Sequence, residues 1–183
     1  MVRFISRRAF SCCLLATLTL VNFASCKKPI ASEANAAPTT GEVKLDVRSH
    51  DEVMQALQSH LGKVVVMDVW STACEPCMTE FPGLVAIHKK HGGKVACVSL
   101  SCDYIGLGKP EDVAGPVLDF LKKQGATFQN YLSSDADEKL HAKLGIPSIP
   151  AVFIYGKDGK LHKKIAAEFS YKDVEKIIDE LLK

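Results

Sequence analysis

Residues 63–77 read KVVVMDVWSTACEPC, and the architecture of the chain is organised around them. From Lys63 to Trp70 it is a nearly continuous β-branched run, the mark of a strand buried on both faces at the centre of a sheet. It then places two cysteines, Cys74 and Cys77, two residues apart where the strand hands over to a helix. That helix is marked by Met78, Phe81, Leu84, Val85 and His88 at helical steps and is closed around residues 91–93, HGG. Pro82 falls inside it and is expected to kink rather than end it, because the apolar pattern continues for two more turns.

The position of the pair has a chemical consequence. The unpaired N–H groups and the dipole of a helix N-terminus point at the first sulfur and favour its thiolate, the form that attacks a disulfide. Cys74 is therefore the expected nucleophile. Cys77, one turn further on and shielded, is suited to resolve the mixed disulfide that results. Asp68 lies six positions before Cys74 in an otherwise apolar strand, where a carboxylate is costly to bury and tends toward a raised pKa. Such a group can take and return the proton of Cys77. The plainer alternative for Asp68 is a carboxylate at a strand edge facing water.

Outward from this centre, strand-like and helix-like stretches alternate. Glu42 to Val47 reads as a half-buried strand, and Ser49 with Glu52 has capping-box spacing before a short helix carrying Val53, Ala56 and Leu57. KVACVSLS at 94–101 is a second buried strand, followed by an irregular stretch and a helix from about Pro110 to Gln124. A short helix lies within residues 133–145, two apolar runs around Gly156 to Gly159 read as a hairpin, and Ser170 caps a last helix with Val174, Ile177, Ile178, Leu181 and Leu182 as its stripe. The expected fold class is α/β: a central mixed β-sheet flanked by helices on both faces.

The amino end reads as a targeting segment, a basic start followed by a mostly apolar run from Ala9 to Ser25. Ser6 to Phe10, SRRAF, resembles a twin-arginine export signature. Phe23 to Cys26, FASC, resembles a lipobox, in which Cys26 becomes the lipidated first residue. The expected organisation is a signal segment at 1–25, a flexible tether at 26–43 rich in Ala, Pro and Thr, and one domain at 44–183. With 47% hydrophobic and 24% charged residues and a net charge of +2, the chain has no field strong enough to recruit nucleic acid.

Asp68, Trp70, Cys74, Pro76, Cys77, Pro82 and the Ile149–Pro150 pair of SIPAVFIY at 148–155 together carry a specific resemblance. The stretch from about Asp46 to Lys183 resembles the thioredoxin-fold thiol-disulfide oxidoreductases, and among them the exported, membrane-tethered reductases of the TlpA and ResA kind. The resemblance implies catalysis by Cys74, Cys77 and Asp68 without a metal or other cofactor. It implies motif and substrate-binding positions at Trp70, Glu75, Pro76, Ile149 and Pro150, with a cis peptide before Pro150. It implies an extracytoplasmic, periplasmic location and disulfide-containing exported proteins as partners, with cytochrome c maturation as one setting. It also implies a membrane electron donor of the thiol-disulfide relay type and contact with the membrane surface through the lipid anchor. Two positions depart from the family pattern. Ala73 stands where a tryptophan is common, and Glu75 replaces a small residue and opposes a thiolate at Cys74.

Other readings compete with this one. Cys77 and Cys97, with Cys102, allow a four-cysteine zinc site, although four residues rather than two separate the second pair. A copper-delivery module of the Sco kind needs three residues between the cysteines and a distant histidine, and neither His141 nor His162 has a feature that singles it out. A peroxidase of the peroxiredoxin kind needs a Pro, Thr and Arg setting that STACEPC lacks apart from Thr72. A purely structural disulfide is weakened by the strand-to-helix position and by Asp68. Cys102, beside Asp103 and Tyr104, reads as a loop thiol.

Overall fold

The computed structural model describes residues 41–183. The stretches read as export signals, Cys26 and most of the expected tether lie outside the described residues.

The run at 64–70 forms β2 (Val64–Trp70), every residue of which is buried. Its neighbours are β3 (Val95–Ser101), parallel to it, and β5 (Ala151–Tyr155), antiparallel. With β1 (Asp46–Arg48), β4 (Gln129–Ser133) and β6 (Leu161–Ala166), the six strands form one mixed sheet in the order β1-β4-β3-β2-β5-β6. Because side chains alternate across a strand, β2 feeds two cores. Val64, Val66 and Trp70 face α2 (Glu75–His91), α3 (Ala114–Gln124) and α5 (Tyr171–Leu182), while Val65, Met67 and Val69 face α1 (His50–Leu57) and α4 (Asp137–Leu144). Full burial of each such side chain stabilises the fold by about 1.5–3 kcal/mol, which is why this strand organises the rest.

The helix ends follow their sequence signals. Ser49 and Glu52 close a complete capping box at α1, and the Ser170 hydroxyl accepts from the backbone N–H of Lys172 at α5. α2 runs unbroken through Pro82, which lies on its exposed face.

Two strands differ from expectation. β1 spans three residues and shares only Asp46 and Val47 with the alternating stretch expected from Glu42 to Val47. β4 was not legible because it opens on two polar residues, Gln129 and Asn130. Asn130 is 3% exposed yet fully satisfied: it accepts from Ser99 Oγ, and its two Nδ2 hydrogens are shared among the carbonyls of Lys44, Ala126 and Phe128 at 2.8–3.1 Å. A buried amide is tolerated when its donors and acceptor are all paired.

Candidate active site

β2 ends at Trp70, and the turn Ser71–Ala73 delivers the chain to α2 with Cys74 as its N-cap. The pair Cys74–Cys77 is a disulfide with Cα atoms 5.3 Å apart, and Cys74 Sγ accepts from the Cys77 backbone N–H at 3.3 Å. The two sulfurs are not equivalent. Cys74 is half-buried, whereas Cys77 is 1% exposed and belongs to the core beneath α2.

Asp68 lies in that same layer. It is 2% exposed, and no other residue of β2 carries a charge. Tyr171, the first residue of α5, donates its hydroxyl to Asp68 Oδ2 at 2.7 Å, while Oδ1 has no partner among the described residues. Burial pushes the Asp68 carboxyl up to about 7; the Tyr171 hydrogen bond opposes that rise and the Glu80 charge adds to it. The water-facing alternative for Asp68 is therefore overturned: its register partners are Ser99 and Val152, in the middle of the sheet.

On the other side of the pair, the Ile149–Pro150 peptide is cis. Ile149 lies just before β5 and outside its ladders, and the Pro150 carbonyl accepts from the Ala167 N–H at 3.1 Å. These residues and Glu75, Pro76, Glu80 and Phe169 border a groove of about 520 Å³. Glu168 lines it too, so three carboxylates face whatever enters.

Trp70 requires a correction. It is wholly buried, its ring 4.9 Å from that of Phe81 and 4.8 Å from that of Phe120. It supports the turn from below and has no surface to offer an incoming chain. Cys102 lies in the loop just past β3, as expected, but is buried there: it is 4% exposed, and its Sγ donates to the Trp70 carbonyl at 3.2 Å. Cys97 packs in the α2 core and Cys102 in the opposite one, so the four cysteines do not converge. Burial pushes both thiols up, that of Cys102 to about 12 with the Asp103 charge adding, which leaves them poor nucleophiles. His141 lies on α4, across the sheet, and His162 is exposed on β6.

Three positions that shape the surroundings of the pair escaped the sequence. Glu80 lies one turn beyond Cys77 on α2, a spacing that could have revealed it. Tyr171 left no signal. Asp103, just past β3, staples the turn before Cys74: its carboxylate accepts from the Thr72 N–H at 3.0 Å, the Thr72 hydroxyl, Ser71 Oγ at 3.3 Å and Ser101 Oγ at 2.6 Å. Asp103→Ala is expected to lower stability by about 2 kcal/mol in urea unfolding, since hydrogen bonds to a charged acceptor are lost together. An unchanged midpoint would refute the staple.

Comparison with known proteins agrees with this geometry. A family model described as thioredoxin-like matches residues 62–161. The thiol-disulfide oxidoreductase ResA of Geobacillus thermodenitrificans is 25% identical over 184 aligned positions, covering 98% of this chain and 96% of the relative. The thiol:disulfide interchange protein HelX of Rhodobacter capsulatus is 26% identical over 121 positions, 66% of this chain and 62% of the relative. The crystal structure of a DsbF homologue from Corynebacterium diphtheriae superposes with a TM-score of 0.57 at 25% identity, covering 68% of this chain and 76% of that one. The chain belongs to the thioredoxin-like family and, with its cysteine pair closed at the first turn of α2, is a thiol-disulfide oxidoreductase.

Proposed function

We propose that the protein reduces disulfide bonds of exported proteins outside the cytoplasm. The observation that carries this reading is the asymmetry of the pair: a half-buried sulfur at the helix tip, and a buried one in the layer that also holds Asp68, whose Oδ1 has no partner among the described residues. Cys74 thiolate attacks a substrate disulfide, forming a mixed disulfide and releasing one substrate thiolate. Asp68 then takes the proton of Cys77, whose sulfur attacks Cys74 and frees the second substrate thiol. The substrate gains two electrons and the enzyme leaves as the disulfide. An incoming chain lies across the Ile149–Pro150 backbone, beside Glu75 and Pro76.

A reductant in an oxidising compartment needs an electron source. A membrane partner of the thiol-disulfide relay type fills that role, and a lipidated Cys26 with its tether keeps the domain near it. The disulfide of an oxidised apocytochrome c, whose reduction yields the thiols that cytochrome c maturation needs, belongs to the expected substrates.

Glu75 is exposed beside Cys74, and its charge disfavours the thiolate. No histidine lies between the cysteines to offset it. A pKa unit is about 1.4 kcal/mol, or about 30 mV for a two-electron couple, and a less stable thiolate favours the disulfide. The reduction potential is therefore expected nearer thioredoxin's roughly −270 mV than the roughly −120 mV of DsbA. Equilibration with dithiothreitol or glutathione measures it, and a value above about −180 mV would reverse the proposed direction.

A further inference from the structure

We propose that Tyr171 is the positioning residue of this exchange: its hydroxyl holds Asp68 Oδ2, so the proton moving between Cys77 and the carboxyl travels through Oδ1. The inference rests on the reading of Asp68 as the proton acceptor.

The geometry restricts where a proton can sit. The Tyr171 hydroxyl has one acceptor among the described residues, Asp68 Oδ2 at 2.7 Å, and both residues are buried, at 6% and 2% exposure. The phenol is itself pushed well above its ordinary range by burial and by the Asp68 charge, so it keeps its proton throughout. A hydroxyl hydrogen directed at Oδ2 leaves Oδ1, buried and unpartnered, as the oxygen that can accept another. The side-chain torsion of an aspartate is otherwise broad and roughly two-fold, and a fixed donor on one oxygen selects one orientation.

Access for the ring is built into α2. A Cβ on Gly83 would lie 2.5 Å from the Cβ and Cδ2 of Tyr171, so only glycine lets the ring pass there to reach β2. Phe169 meets the same ring edge-on at 5.5 Å. The titratable groups that act on Asp68 are Tyr171 from α5 and Glu80 from α2, and Asp68 in turn acts on the neutral thiol of Cys97 from β3; Cys77 lies in the core layer beneath α2 on the same side of the sheet. β5 contributes Val152 opposite it.

In the resolving step the Cys77 S–H bond breaks and its proton goes to Oδ1. The Cys77 sulfur bonds to Cys74 Sγ, the bond from Cys74 to the substrate sulfur breaks, and the departing thiolate takes a proton from Asp68 or water. The enzyme dithiol is oxidised and the substrate disulfide is reduced.

The test uses the full chain in its oxidised form, where neither cysteine of the pair titrates. Removing a hydrogen bond to a carboxylate favours its protonated form, so Tyr171→Phe is expected to move the carbon-13 titration midpoint of the Asp68 carboxyl upward by about one pH unit. The rising limb of the pH profile for reducing a peptide disulfide moves with it. In an Asp68→Asn background, adding Tyr171→Phe is expected to leave the profile where it was. Should Tyr171→Phe fold poorly, unsubstituted protein still decides: the Tyr171 Cζ resonance is expected to step at the Asp68 midpoint, and the step is lost in Asp68→Asn. An unmoved midpoint in Tyr171→Phe, or a Cζ resonance blind to Asp68, overturns the inference while leaving Asp68 as acceptor. An Asp68→Asn profile identical to wild type overturns both.

Discussion

Cys77→Ser in the full chain is expected to turn a catalyst into a trap. Cys74 remains at the α2 N-terminus, reachable and activated, so attack on a substrate disulfide proceeds. Release does not, because the sulfur that would complete the exchange from one turn away is gone. Resolution then falls to dissolved thiols, slower by about three orders of magnitude or more, since a well-oriented intramolecular partner corresponds to a very high effective concentration. Mixed disulfides with envelope proteins are expected to accumulate, visible by non-reducing electrophoresis and identifiable by mass spectrometry. Cys74→Ser is expected to capture nothing and to lose turnover entirely. Failure of the Cys77→Ser chain to hold any partner through Cys74 would remove the basis of the proposed function.

Asp68→Asn is expected to act in opposite directions on activity and on stability. General acid–base catalysis contributes about 10²–10⁴-fold, so reduction of a peptide disulfide near pH 7 is expected to slow at least about 100-fold. In reduced protein Asp68 and Cys77 titrate together, and the profile belongs to the pair. Stability moves the other way. The folded-state carboxyl is raised to about 7 from an ordinary 3.8, so its contribution is most favourable below about pH 4 and is lost as the pH climbs through about 7. Above that the buried charge costs about 4 kcal/mol by linkage. Asp68→Asn is expected to recover much of it at pH 8 and to flatten the dependence of stability on pH between about 4 and 7. Denaturant titrations of oxidised protein at pH 4 and pH 8 check this, and an equal loss of stability at both would show that burial exacts no charge penalty there.

Much of this molecule was legible in its residues because the signals are local. A β-branched run at 64–66, a capping box at Ser49 and Glu52, and an apolar stripe from Val174 onward each spell their element within a few positions. The cysteine pair and Asp68 were legible for the same reason, all three lying on one continuous strand-to-helix segment. β4 was not, since Asn130 looks unsuited to a core until its partners are known. Trp70 was legible as a motif but not as a core residue, because exposure is a property of what packs above it.

That a buried strand presents Cys74 at a helix tip with Asp68 behind it can be read from the residues alone, because alternation and helical spacing act over short range. What those residues meet is set by packing: Tyr171, 103 positions away, closes on Asp68 past Gly83, and Asp103 returns from β3 to hold the turn. Such contacts depend on how helices and strands pack against one another, and no local pattern encodes that.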